Sequence, residues 1–441
     1  MAQQTVTVTR GVDDVIAELQ GYDPQSLSAD AVNHFLSRLV GPVQETETVG
    51  IFEALGRVLA HDLVSPISVP PHDNSAMDGF AFDGSALCAG TSLDLTVVGT
   101  AFAGTAWSGR AGPLQAVKIM TGAVMPFGLD TVVPQELAQV NGSKITIPPG
   151  VLARGDNRRK LGEDLQQGRP ALYAGDRLGP AALGLIASLG MGQVPVRRRL
   201  RVAFFSTGDE ILSIGETARE GAVYDSNRYT VFGLLSQLGV QLIDLGVVRD
   251  EPDALEAAFV QAAQQADAII TSGGVSVGEA DYTKAMMKKL AGRSGGVAFW
   301  RIAMRPGRPM AVGRISASGS GAAQSAVLFG LPGNPVAVMV TFLAFVRPAL
   351  LRMMGCTGQG PPLLRARSGE VMRKKPGRTE YQRGVVRATA DGALVVNTTG
   401  NQGSGVLSSM VQANGLIVLH HNQGDVAVGD EVHVLMFNGA I

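Results

Sequence analysis

From Leu200 onward the chain alternates apolar runs of strand length with helix-length segments, and each apolar run ends in a polar turn. LRVAFFSTGDEI reads as a buried strand, and VQLIDLGVVRDEP, ADAIITSGG and SAVLFGLPGNP as further strands; VFGLLSQLG, the stretch from Pro252 through Ala266 and PVAVMVTFLAFV read as helices. Few folds accept that pattern. Alternating strands and helices imply a parallel sheet with helices on both faces. In such sheets ligands sit beyond the carboxyl ends of the strands. Those ends carry Ser206-Thr207-Gly208-Asp209-Glu210, Arg249-Asp250, Ser272-Gly273-Gly274 and Pro332-Gly333-Asn334.

The rest of the 441 residues divides around this unit. Residues 1–26 read as a short, loose extension. Residues 27–40 read as a helix capped by Ser28, with Val32, Phe35, Leu36 and Leu39 on one face. IFEALGRVLAHDL, near 51–63, reads as a second helix, and GPAALGLIASLG (179–190) as a third. Short β-like runs punctuated by Gly and Pro fill 83–160, and β character returns after Pro362. The boundaries are 27–65 with 164–198 as a linker region, 66–163 as a β module, 199–350 as the α/β domain and 360–441 as a small β domain. The β module carries PPHDNSAMDGFAF (70–82) near its start. Neither helical nor alternating periodicity runs through it, and it crowds acidic and turn-forming residues behind two prolines.

Composition narrows the function. Lys+Arg is 37 against Asp+Glu 38, which argues against a broad nucleic-acid-binding face. Aromatics are 5%, too few for a base-stacking platform. The two cysteines form no ligand cluster and no redox pair in sequence, which fits a reducing cytoplasm. No apolar run is read as membrane-spanning, and the N-terminus is unlike a signal peptide.

TSGGVSVGEADYTK (271–284) is the first motif with chemistry. Gly273 and Gly274 let backbone N–H groups approach a phosphate, and Ser272 and Ser276 add hydroxyls. An ordinary strand-to-helix turn would carry the same glycines. Asp281 suits either a helix cap or a Mg²⁺ ligand. In LPGNPVAV, Gly333 and Asn334 precede a helix whose N-terminus attracts anions. Asp209, Glu210, Asp250 and Asp281 would converge at the sheet edge, where a cation between them relieves their repulsion. WRIAMRPGRP holds Arg301, Arg305 and Arg308, either a solvated charge run or a loop that hosts an oxyanion. Arg383 in YQRG and Ser404 in NQGSG are further oxyanion candidates.

PPHDNSAMDGFAF, KIMTGAVMP, RRKLGEDLQQG, FFSTGDEI, YDSNRY, TSGGVSVGEADYTK and LPGNPVAV together closely resemble the molybdopterin molybdenumtransferases, the MoeA family, which includes the E domain of gephyrin. The match runs from about Leu27 to the C-terminus. It implies a multi-domain α/β plus β fold: a three-layer α/β/α domain with a mainly parallel sheet, a small β module inserted N-terminally and a C-terminal β-barrel-like domain. It implies a homodimer, with 27–65 and 164–198 in its dimerisation region and a site between subunits. The implied reaction is Mg²⁺-dependent insertion of molybdenum, from molybdate, into adenylylated molybdopterin with release of AMP. By the resemblance Asp78, Thr121, Glu210, Asp250 and Asp281 are catalytic. Glu210, Asp250 and Asp281 would also hold Mg²⁺, and Asp164, Arg383 and Ser404 would bind substrate. Arg301, Arg305 and Arg308 stand where family members often carry lysines. The adenylylation step, tungstate handling and a peptide-binding scaffold are the alternatives, and a separate adenylyltransferase is a candidate partner.

Overall fold

A computed structural model describes residues 11–18, 22–275, 282–316, 325–358, 360 and 362–437, with the side chains of 292–295 left aside. The chain divides into two compact units: residues 1–60, 175–180 and 195–441 form one, and residues 61–174 and 181–194 the other.

The first unit is built on a six-stranded sheet. Its strands are β1 (Arg201–Thr207), β2 (Gln241–Val248), β3 (Ala268–Ser272), β4 (Val297–Arg301), β5 (Pro309–Ser316) and β6 (Ser325–Leu331), in the spatial order β2-β1-β3-β6-β5-β4. The first four positions in that order are parallel, and β5 and β4 continue them as an antiparallel edge. Every core strand buries both faces, so its sequence reads as a continuous apolar run rather than an alternation. In β1, Val202 and Phe204 enter one core while Ala203 and Phe205 enter the other. In β6, Val327 and Phe329 face one way and Ala326 and Leu328 the other.

Helices cover both faces. α1 (Ser226–Leu238) sends Val231 and Leu235 to the first core; α2 (Pro252–Gln265) sends Leu255 and Phe259 to the second. α3 (Tyr282–Gly295) adds Met286 and Met287 beside α2. α4 begins at Pro335 and continues through a π-helical turn at Phe342–Val346 to Met353. This 19-residue helix has a mean hydropathy of 1.8, so one segment does reach membrane-spanning length and composition. Two-thirds of it is buried inside the unit, because its apolar residues face the sheet and the barrel; it is a core helix.

The C-terminal strands close a barrel. Thr379–Ala388 pairs with Leu394–Thr398, which pairs with Leu364–Ser368, then Glu431–Met436, then Gly415–Leu419, and the last returns to Thr379–Ala388. Val386, Val396, Ile417 and Val434 fill it. Met304 and Arg305 pair in parallel with Thr379 and Glu380, which joins the barrel to the connection after β4.

Three local expectations are corrected. Residues 51–63 form no helix beyond a single turn at Ile51–Glu53. Gly56 takes φ +73°, and the backbone of 56–60 bonds instead to Leu178, Asp176 and Pro195. The described part of the N-terminal extension is packed, not loose. Val12–Glu18 is a helix that buries Val12 and Val15 in the first core, and Tyr22 accepts a 2.8 Å hydrogen bond from Trp300. Finally, PPHDNSAMDGFAF does hold a strand, Gly79–Phe82. It lacks visible alternation because all four residues are buried.

That strand belongs to the second unit. Its sheet runs Thr131–Pro134, Gly79–Phe82, Gln115–Ile119, Leu93–Ala101, Lys144–Ile147, Gln139–Asn141. Phe80 and Phe82 fill one face and Ala81 the other.

Candidate active site

In the first unit the chain leaves β1 for β2 on one side and returns to β3 on the other. The crevice beyond β1 and β3 is therefore the switch point of the sheet, where open α/β folds bind ligands. Ser206 and Ser272 stand in register there, with hydroxyls 2.9 Å apart. Gly273 has φ +92°, and a Cβ on it would lie 2.5 Å from the Thr207 carbonyl oxygen. Only glycine lets the two turns approach this closely. Asp250 donates its N–H to Asp209 Oδ1 at 3.3 Å, and Thr283 of α3 donates to Asp250 Oδ1 at 3.4 Å. The structure thus brings Ser206, Ser272, Gly273, Asp209 and Asp250 to one edge. Glu210 folds back over Gly208 beside them. Ser276 and Asp281 lie outside the described residues.

Gly333 and Asn334 occupy the next strand end, after β6. Asn227, at the start of α1, donates to the Gly333 carbonyl at 2.7 Å. Asn334 Nδ2 donates to Ser404 Oγ at 3.0 Å, and the Val336 N–H to the Ser404 carbonyl at 3.1 Å. Two residues far apart in sequence, Asn334 and Ser404, are therefore adjacent.

Arg383 is only 1% exposed. Its Nε donates to Ser409 Oγ at 2.9 Å and its Nη2 to the carbonyls of Asn401 and Gly403 at 3.3 and 2.9 Å. In this arrangement it holds the loop that presents Ser404. Burial pushes its pKa below the usual arginine range, and the nearby charge of Arg305 adds to the effect. Arg301, Arg305 and Arg308 are exposed on a hairpin-like connection, where Arg301 pairs with Pro309 and the Ile302 N–H donates to Arg308. None of the three has a carboxylate partner among the described residues.

The second unit holds the other group. Asp78 precedes Gly79–Phe82 and Thr121 follows Gln115–Ile119, two adjacent antiparallel strands. Thr121 donates its N–H and its hydroxyl to Asp78 Oδ1, both at 2.6 Å. These bonds, with the charge of Lys118, hold the exposed Asp78 carboxyl below its ordinary range. Behind it, Asp73 accepts from Arg158 Nε at 2.8 Å and from the Leu161 N–H at 2.7 Å, which ties the proline-led turn to the 158–161 segment. Ser75 is fully buried and donates to the Met77 carbonyl at 2.5 Å. Asp164 is exposed on the following turn, where its N–H donates to Val69.

Sequence reasoning passed over Asp225 and Asn227 as site residues. Both are buried, and Asp225 Oδ2, Asn227 Oδ1 and Thr207 Oγ1 have no hydrogen-bond partner among the described residues. The signal was present in YDSNRY, a polar cluster just before a helix.

For Mg²⁺ the donor chemistry fits. Asp209, Glu210 and Asp250 offer hard oxygens, and Thr207 Oγ1 is an orphaned buried oxygen. Among the described residues no three His, Cys, Asp or Glu side chains gather as a metal cage. Mg²⁺ needs none, since it commonly takes one or two carboxylates, waters and substrate phosphates.

A sheet with a glycine-lined switch point and a closed barrel in one unit, with a β module in the other, define a multi-domain α/β plus β architecture. The chain matches the MoeA N-terminal region (domain I and II) over residues 27–190, the probable molybdopterin binding domain over 203–352 and the MoeA C-terminal region (domain IV) over 365–437. It is 40% identical over 409 residues to a molybdopterin molybdenumtransferase of Haemophilus influenzae, covering 92% of this chain and 98% of that one. A molybdopterin molybdenumtransferase of Bacillus subtilis is 34% identical over 402 residues, covering 89% and 90%. The crystal structure of a molybdopterin biosynthesis moeA protein from Pyrococcus horikoshii superposes with a TM-score of 0.76 at 25% identity, covering 94% of this chain and all of that one. The chain belongs to the molybdopterin molybdenumtransferase family of enzymes.

Proposed function

We propose that this enzyme acts in molybdenum cofactor biosynthesis, inserting molybdenum from molybdate into adenylylated molybdopterin and releasing AMP. The observation that carries the reading is the Ser206–Ser272 pair beside Gly273 at the switch point, inside the region matching a probable molybdopterin binding domain. Backbone N–H groups and hydroxyls there suit a phosphate.

Molybdate is a small tetrahedral dianion. Arg301, Arg305 and Arg308 supply charge and forked donors, and Ser404 a hydroxyl, positioned by Asn334 and by the loop that Arg383 anchors. AMP release breaks the anhydride bond between the two phosphates. Mg²⁺, held by Asp250 and Glu210, would offset charge on that bridge. Asp78 is ionised at neutral pH, so it accepts hydrogen bonds; its role is to orient the substrate or the attacking water.

The reading includes a homodimer in the cytoplasm, with Asp78 and Thr121 of one subunit completing the sheet-edge site of the other. Exposed Phe52, Tyr224, Tyr229 and Phe232 support an apolar subunit contact. A separate adenylyltransferase would supply the substrate.

The test is single-turnover release of AMP from adenylylated molybdopterin, with and without molybdate and Mg²⁺. Release that depends on both, with molybdenum then found on the pterin, is expected. An adenylylated pterin left intact under all conditions would overturn the reading.

A further inference from the structure

α1 and α4 pack together on one face of the central sheet, and beside them lies a cavity of about 500 Å³. Leu234 and Leu238 of α1, Met339 and Phe342 of α4, and Phe437 give it an apolar wall. Two guanidiniums, Arg177 and Arg347, also face it, and no carboxylate does among the described lining residues.

The two arginines are not equivalent. Arg177 Nη2 donates to the Gln237 and Leu238 carbonyls, at 3.2 and 3.4 Å, at the C-terminal end of α1. That end favours a cation. The Arg347 side chain has neither hydrogen bond nor ion pair among the described residues. Burial lowers its pKa from the usual arginine range, and the charge of Arg177 lowers it further. A half-buried cation that faces a second cation across an apolar wall is costly, and an anion between them offsets that cost.

We propose that this cavity is a binding site for an organic anion: a carboxylate or phosphate monoester head on an apolar skeleton. The head sits between Arg177 and Arg347, and the skeleton lies against Leu234 and Phe342. Forked guanidiniums suit either head, and the volume falls in the range of small-ligand sites. The site is distinct from the sheet edge. α1 and α4 present Asn227 and Asn334 at their amino ends, whereas the cavity takes the last turn of α1 and the middle of α4. The inference therefore does not depend on the proposed reaction.

Calorimetric titration of the full chain with decanoate, decyl phosphate and decanol tests it. Saturable binding of one or both anions is expected, with decanol weaker by about tenfold or more. The tighter of the two heads names the ligand's source. Arg347→Gln should weaken the anions by about tenfold or more, leave decanol unchanged and raise the melting temperature of the unliganded protein. Met339→Trp, which fills the cavity, should abolish binding of all three. Absence of saturable binding, equal affinity for decanol and decanoate, or anion affinity unchanged in a folded Arg347→Gln protein would each overturn the proposal.

Discussion

Thr121 gives Asp78 two hydrogen bonds to the same oxygen, one from its backbone and one from its hydroxyl, each 2.6 Å long. The pair crosses two adjacent strands, so the direction of the carboxylate is set by sheet register rather than by a flexible loop.

Thr121→Val keeps the shape and the backbone donor but removes the hydroxyl. The Asp78 pKa then rises toward its ordinary value. A depressed acid stays ionised down to its folded pKa, so raising that pKa moves the acid limb of the pH–rate profile to higher pH. An unmoved limb would show that Asp78 is not the group it reports. Asp78→Asn should lower turnover by about 10²-fold or more and lower the melting temperature only slightly, because the side chain is exposed and its bonds to Thr121 are screened by solvent.

Gly79→Ala should unfold or loosen the β module. A Cβ there would overlap the Val133 carbonyl oxygen in the paired strand, and no side chain can yield to relieve the contact. A loss of about 3 kcal/mol is expected, at the upper end for overpacking. Thermal melting combined with limited proteolysis checks it, and cleavage should concentrate within residues 61–174.

Arg383→Lys keeps a charge but not the fork. Ser409, Asn401 and Gly403 lose their shared donor, and a loss of about 1–3 kcal/mol follows for each buried acceptor left unmade. Activity should fall as the Ser404 loop loosens. Ser404→Ala should lower activity without the loss of stability, and comparing the two variants by melting and turnover separates anchor from ligand.

The architecture of the first unit is legible from sequence because its central strands, β1, β3 and β6, bury both faces and its glycine turns sit at strand ends. Ser206, Ser272 and Gly273 meet where that pattern places them. The helix expected at 51–63 is absent because Gly56 and distant backbone partners override local periodicity, which a linear reading cannot weigh. The strand at Gly79–Phe82 is masked in the sequence for the opposite reason: full burial removes the alternation that marks a strand. Arg383 reads from sequence as an oxyanion candidate, whereas in the structure it is buried and anchors the Ser404 loop. Its burial follows from barrel closure, which sets residues 383 and 409 side by side although 26 positions separate them.

The latch between Asp73 and Arg158 should make stability pH-dependent. Asp73 is held below its usual range, first by the Leu161 N–H and then, against the opposing effect of burial, by Arg158. A lowered folded-state pKa stabilises above the unfolded-state value and is lost as pH falls through the folded one. Asp73→Asn should therefore cost about 1–2 kcal/mol near neutrality, and its melting temperature should converge with that of the wild type as the pH falls below about 4 and through the lowered folded-state value. Parallel melting curves at every pH would sink this.

Asp78 and Asp250 belong to different units of the chain, and the proposed site joins them across two subunits. Two inactive proteins, Asp78→Asn and Asp250→Asn, should then rescue each other. After dissociation and random reassembly half the dimers are mixed. A mixed dimer has one site with both substitutions and one with neither, so about one quarter of wild-type turnover should return. If each site is built within one chain, every site in the mixture carries a substitution and no activity returns. Measuring AMP release before and after remixing, with size analysis to verify subunit exchange, decides between the two. Rescue would also fix the roles: Asp78 would act on substrate held at the partner's Ser206–Ser272 cleft, which no single-chain arrangement would predict.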